Sequence, residues 1–248
     1  MRATVRCYAE LNDFLPRERR QVTFEHTWVG PVSVKDLLEG LGVPHGEIDL
    51  LLVNGESSDF QRRVADGDRI AAYPVFESFD VASVTRVRPD PLRETRFVLD
   101  VHLGRLAAFL RLAGFDTLYS RTSSDAELAE ISAASGRVLL SRDQALLKRR
   151  TVTRAYWVRA TEPRRQLAEV VARFDLAGSA RPFTRCTVCN GASVPARRED
   201  VADRVPQRGR QLHEDFRRCA DCGRVYWKGT HYDRLQRLLD DALAGREP

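Results

Sequence analysis

Polar and apolar positions alternate from Arg2 to Tyr8 and again from Arg20 to Glu25, the two-residue period of a strand with one buried face. Between Val32 and Gly42 the period changes. Val34, Leu37, Leu38 and Leu41 fall on one helical face, Ser33 suits the N-cap and Gly42 the stop. Asp49–Val53 is an apolar strand closed by the turn pair Asn54-Gly55, and Asp66-Gly67-Asp68 turns into a strand over Arg69–Tyr73. Residues 1–80 therefore predict a small α+β unit. Residues 81–95 predict a linker, because Val87-Arg88-Pro89-Asp90-Pro91 cannot hold a helix and contains nothing that needs burial.

From residue 96 the pattern switches repeatedly. Short apolar runs at Arg96–Asp100, Phe115–Tyr119, Arg137–Ser141 and Ala155–Arg159 predict strands. Helical patterns follow at Leu103–Leu112, Ser124–Ala134, Arg142–Arg150 and Pro163–Phe174. Four βα units in succession over residues 96–180 predict a parallel sheet wrapped by helices. Residues 181–248 hold two cysteine pairs and end in an amphipathic helix, His231–Leu243. The fold class is α/β, with a four-cysteine module at the end. No run of 18 apolar residues predicts a membrane span, and Met1–Val5 lacks a signal-peptide core.

The cysteines carry the sharpest chemistry. Cys186-Thr-Val-Cys189 and Cys219-Ala-Asp-Cys222 are separated by 29 residues. Each C-x-x-C places two thiolates on one turn, and two such pairs complete a tetrahedral shell, so a structural zinc is expected on Cys186, Cys189, Cys219 and Cys222. Glycine follows each pair closely, at Gly191 and Gly223, as suits a turn whose amides face sulfur. His213 and His231 lie near the pairs, but four thiolates already close the shell. The remaining thiol, Cys7, stands alone in a strand and is expected to be a small buried apolar group; an unpaired thiol fits a reducing, cytoplasmic setting.

Charge is unevenly spread within a net of +5: residues 1–80 carry 9 basic against 14 acidic side chains, residues 81–181 carry 18 against 11, and residues 182–248 carry 13 against 10. An acidic head on a basic body suggests separate partners. Lys35, Lys148 and Lys228 are the lysines; every other basic side chain is arginine, whose fork suits phosphate. At the carboxyl edge of a parallel sheet, where ligand chemistry gathers, three acids are expected. Asp100 ends the first strand, Asp125 opens the helix after the second, and Asp143 lies two residues past the third. Three carboxylates suit Mg2+ or Mn2+, which activates water and stabilises a phosphodiester leaving oxygen. Asp125 and Asp143 have a plain structural use as well, at helix starts; an acid closing an apolar strand, as Asp100 does, is harder to explain without function. Arg142 beside Asp143 can touch a phosphate or simply pair with that carboxylate; Tyr226 and Trp227 can stack on an unpaired base, but packing in the core or against the cysteine turns is the favoured use.

Residues 1–80, with Leu50–Glu56, Asp66–Ile70 and Tyr73-Pro74-Val75, resemble a β-grasp, ubiquitin-like domain and, within it, the sulfur carriers. Those end in a free Gly-Gly tail, whereas here Phe76–Asp80 leads onward, which speaks against carrier chemistry. The phrases Asp100–Ala107, Leu110–Thr117, Ser124-Asp125 and Val138–Asp143, with Arg185–Gly191 and Cys219–His231, resemble the Mut-seven C-terminal RNase domain family, a branch of the PIN-like nucleases. Bacterial members often carry an N-terminal ubiquitin-like extension. The resemblance implies metal-dependent RNA hydrolysis at Asp100, Asp125 and Asp143, with Arg105, Arg111 and Arg142 on RNA. Arg105 stands where many relatives have lysine, and Glu127 and Glu130 are candidates for a fourth acid.

The expected protein is thus a ribonuclease with Zn2+ and Mg2+ or Mn2+ as cofactors, RNA as substrate, and a protein partner for the acidic head. Two alternatives stay open: a non-catalytic RNA-binding zinc ribbon, and a toxin nuclease. The charge asymmetry also raises the idea that the head covers the basic face as an internal inhibitor.

Overall fold

The computed structural model describes residues 1–74, 85–87, 95–207, 213–229 and 231–245. Phe76–Asp80, most of the expected linker (88–91 included) and Arg208 and Arg210 lie outside the described residues. The chain forms two compact units: Met1–Glu94 with Asp125–Trp157, and Thr95–Ser124 with Val158–Pro248.

In the first unit, β1 (Arg2–Cys7), β2 (Phe24–Thr27), β3 (Leu50–Val53), β4 (Glu56–Ser57) and β5 (Arg69–Tyr73) form one sheet in the order β2-β1-β5-β3-β4. β1 runs parallel to β5, pairing Val5 with Ile70; the other neighbours are antiparallel. Helix α1 (Val34–Gly40) starts at Ser33, whose hydroxyl accepts from the Asp36 amide, so the cap read from sequence is present. The core joins Val5, Leu11, Leu38, Ile48, Leu51 and Ile70. Cys7 belongs to it, and burial pushes its thiol up to about 12, the behaviour of an inert apolar group. The turn Asn54-Gly55 has φ of 57° and 89°, as a tight two-residue hairpin requires.

Two details differ from expectation. β2 begins at Phe24 rather than Arg20, because Arg17–Arg19 coil into a 3-10 turn and Gln21 takes φ of 60°, with its amide donated to Asn12 Oδ1. The 85–87 stretch also buries something: Val87 packs on the core and the Thr85 hydroxyl donates to the Asp49 carbonyl.

The same unit contains α3 (Asp125–Ser135), β8 (Val138–Ser141), α4 (Gln144–Leu147) and β9 (Ala155–Trp157). β8 and β9 run parallel, with Leu140 beside Tyr156. Helix α4 is much shorter than the Arg142–Arg150 pattern suggested. After Leu147 the amides of Lys148 and Arg149 bond three residues back, the tighter 3-10 closure that ends a helix. The sheet unit is fastened to β9. His45 sets Nδ1 2.5 Å from Glu39 Oε1 and Nε2 2.7 Å from the Val152 carbonyl. Glu47 accepts from the Trp157 amide, and the Phe14 and Trp157 rings lie 5.2 Å apart.

The second unit holds β6 (Phe97–Leu99) and β7 (Thr117–Tyr119), parallel, with Leu99 beside Tyr119. Helix α2 (Gly104–Leu112) follows a 3-10 turn at Val101–Leu103, and α5 (Pro163–Arg173) packs against α2 and against the last helix, α6 (Tyr232–Leu243). Phe97 meets Phe115 and Phe174 edge-on. β10 (Ser193–Ala196), β11 (Phe216–Cys219) and β12 (Val225–Trp227) form an antiparallel sheet in that order, over a cluster of Val201, Val205 and Phe216.

His45 is buried and bonded at both ring nitrogens. Replacing it with alanine should lower stability by about 2 kcal/mol, the cost of leaving a buried polar partner unmatched. Urea denaturation of His45→Ala beside the parent chain measures this.

Candidate metal centre and candidate active site

The two cysteine pairs meet at one end of β11. Backbone geometry makes the turns: the Gly191 carbonyl accepts from the Cys186 amide, and the Asn190 amide donates back to Cys186. In the second turn the Arg224 carbonyl accepts from Cys219, and the Gly223 amide donates to Cys219. The residue after each second cysteine lies in the left-handed region, Asn190 at 73° and Gly223 at 70°. In the first turn that conformation thus falls to asparagine. Gly191 serves close approach instead, since a Cβ there would lie 3.0 Å from Cys219 Sγ.

All four Sγ atoms lie within 4.8 Å of one another, with 3.7 Å between Cys186 and Cys222 and 3.4 Å between Cys189 and Cys219. Zinc–sulfur bonds of about 2.3 Å at tetrahedral angles put sulfurs about 3.8 Å apart, so the donors fit zinc. None of the four is in a disulfide. The Cys186 thiol is raised by burial, but the Tyr226 hydroxyl and the amides of Cys189 and Val188 outweigh this and bring it down to about 6. For Cys189 the Gly191 amide favours the thiolate, yet burial and the neighbouring sulfurs push it up to about 12. Four crowded sulfurs ionise together only around a cation.

The metal turns are anchored to the α2–β7 region of the same unit. Arg111 is 4% exposed. Its Nε donates to the Thr117 carbonyl at 2.9 Å, and its Nη1 to the carbonyls of Thr187 (3.2 Å) and Val188 (2.8 Å). The guanidinium read from sequence as an RNA contact is thus buried and bonded to the knuckle backbone. Burial lowers its pKa, while Cys186 and Cys189 favour its charged form. Asn190 Oδ1 accepts from the Thr117 amide at 3.0 Å, and its Nδ2 donates to Asp116 at 2.7 Å. Arg185 donates to the carbonyls of Gly114 and Asn190. Of the two uses read for Tyr226 and Trp227, packing against the knuckle is the one present. Tyr226 bonds Cys186 Sγ and the Thr187 amide, and Trp227 packs on the Val201–Phe216 cluster. Composition and spacing gave no warning of Arg111 or Asn190. The one available signal was an arginine on the apolar helical face Leu103–Leu112, a position that needs a partner.

The acids sit at the ends of their elements. Asp100 follows β6, is 4% exposed and heads the Val101–Leu103 turn, where the Leu103 amide donates to its carbonyl at 2.9 Å. Asp125 is the first residue of α3 and exposed. Asp143 is the exposed N-cap of α4: its Oδ1 accepts from the Ala145 amide at 2.7 Å, while its own amide donates to the buried Ser141 hydroxyl. Arg105 and Arg142 are exposed, as phosphate contacts must be. Among the described residues, the four cysteines form a group of side chains close enough together to hold an ion. Asp100 belongs to the second unit and Asp125 and Asp143 to the first; as a donor set, three carboxylates have the hard-oxygen chemistry of a Mg2+ or Mn2+ site.

Two family models match this chain. The one described as Mut7-C RNAse domain covers residues 95–239, and the one described as Mut7-C ubiquitin covers residues 1–80. No curated protein and no solved structure matches it.

The zinc fit leads to a direct measurement. Metal analysis of the purified protein should find about one zinc per chain, held by the four thiolates. Cys219→Ser should lose most of it and melt at lower temperature.

Proposed function

The chain belongs to the Mut7-C RNase domain family, and on that premise we propose that it is a metal-dependent ribonuclease whose reaction is carried by Asp100, Asp125 and Asp143. The observation that bears most weight is Asp100. Its carboxylate is 4% exposed at the end of an all-apolar strand, a place where a charged side chain is kept only with partners or a cation around it. Arg105 and Arg142 are exposed next to acids in sequence terms, five residues after Asp100 and one before Asp143, and their role is to bind phosphate. When bound, Mg2+ or Mn2+ held by the three aspartates supplies Lewis acidity toward phosphate and a more acidic water. Asp100, Asp125 and Asp143 bring the negative charge that attracts it, and the arginines hold the RNA backbone in register for in-line attack by water at phosphorus, leaving a 5′-phosphate. The four-cysteine module acts as a structural zinc site, and the ubiquitin-like head is the surface for a protein partner. Five cysteines outside disulfides are in keeping with a cytoplasmic site of action.

Asp100→Asn should reduce Mn2+-dependent cleavage of RNA by about a hundredfold or more, the scale of losing a central catalytic group, without moving the thermal midpoint appreciably. Cleavage assays on structured and single-stranded RNA, with and without Mn2+, decide it. Undiminished cleavage by this variant removes the assignment. Salt-sensitive RNA binding with no cleavage by the parent chain would favour the binding-module alternative.

A further inference from the structure

We propose that the four-cysteine centre does more than hold its own turns: through Asn190, Arg111, β7 and Tyr119 it sets the position of the Asp100 turn. The inference rests on the catalytic reading of Asp100 given above, but its physical core can be measured without any activity.

The path begins at the first cysteine turn. Residues 187, 188 and 190 lie in or directly after Cys186-x-x-Cys189, so sulfur geometry fixes their backbone. Four thiolates around Zn2+ leave two net negative charges, and the buried guanidinium of Arg111 beside them offsets part of that charge. Arg111 and Asn190 then grip one residue, Thr117, which is 0% exposed. Arg111 takes its carbonyl and Asn190 takes its amide. The Asp116 carbonyl accepts from Phe97 on β6, and neighbouring residues of a strand direct their amides and carbonyls to opposite sides. Thr117 therefore turns its backbone away from β6, where the knuckle supplies the missing ladder partner.

The path ends at Asp100. Two residues along β7, the Tyr119 hydroxyl donates to the Val101 carbonyl at 3.0 Å. Val101 is the residue after Asp100. Tyr119 also covers the start of α2: a Cβ on Gly104 would lie 2.6 Å from its hydroxyl oxygen, so glycine is what allows the ring to close over the turn. Between sulfur and acid there are only buried or partly buried hydrogen bonds of 2.8 to 3.2 Å and one three-residue strand. Asn190, Arg111 and Tyr119 are thus positioning residues. None of them is assigned to touch substrate.

The Leu103 amide, which donates to the Asp100 carbonyl, is the reporter. Hydrogen exchange is followed in the full-length, zinc-loaded protein for the parent chain, Asn190→Ala and Tyr119→Phe, with zinc content measured for each. Both variants keep all four cysteines, so zinc content should stay at the parent level. In Asn190→Ala, which loses the side-chain bonds to the Thr117 amide and to Asp116, exchange should rise about fivefold or more in both the Thr117–Tyr119 segment and the Leu103 amide. In Tyr119→Phe it should rise at Leu103 and stay unchanged at the cysteine turns. In cleavage assays, both variants should lower kcat several-fold with KM little changed, because substrate contacts are intact while the acid is misplaced. The inference is overturned if Asn190→Ala loosens Thr117 but leaves Leu103 at the parent rate. It is also overturned if either variant alters exchange equally throughout the second unit, which would mark general destabilisation. Failure of the catalytic reading has a different signature: the exchange coupling appears as described, and Asp100→Asn still cleaves.

Discussion

Four sulfur atoms within 4.8 Å of one another set the terms for the second unit. As neighbouring thiolates they repel, and as thiols they waste the amides and the Tyr226 hydroxyl aimed at them. A cation resolves the conflict. The turns that carry the sulfurs also present the carbonyls of Thr187 and Val188 and the amide side chain of Asn190 to other parts of the chain. A buried arginine and an otherwise unmatched edge of β7 take up those partners. The centre therefore completes the hydrogen bonding of its neighbours as well as its own.

A second constraint operates at β9. The ubiquitin-like sheet, by itself a complete fold with its own core, is held against that strand by His45, Glu47 and Phe14. These are a carbonyl, an amide and a ring met by matched side chains, a more specific contact than the attraction of an acidic head for a basic body. It places the head and residues 125–157 in one compact unit, and it shows that the ubiquitin-like part is built into the architecture.

Much of the local structure could be read directly from residue order. The Ser33 cap, the Asn54-Gly55 hairpin, the apolar strands at 97–99 and 138–141 and the metal-binding cysteine spacing all depend on neighbours within a few positions, and each appears where its pattern indicated. The misplaced boundaries share one cause. At Gln21 and at Lys148 a side chain or a tighter turn competes with the regular element, and periodicity contains no term for that competition.

Arg111 marks the limit. By residue type it was a phosphate contact, and its place on the apolar face was the one local sign that set it apart from the exposed Arg105 on the same helix. Its fate was decided by carbonyls 76 and 77 residues away, which only the folded chain brings within reach. Which sulfur Tyr226 serves was settled the same way, by Cys186 from 40 residues off. Order along the chain determined which elements form, which residues can ligate metal and which acids close strands, because those are short-range matters of period and spacing. Tertiary structure alone decided which polar side chains are consumed in holding the molecule together and which are left facing solvent, because a hydrogen bond is chosen by distance in space.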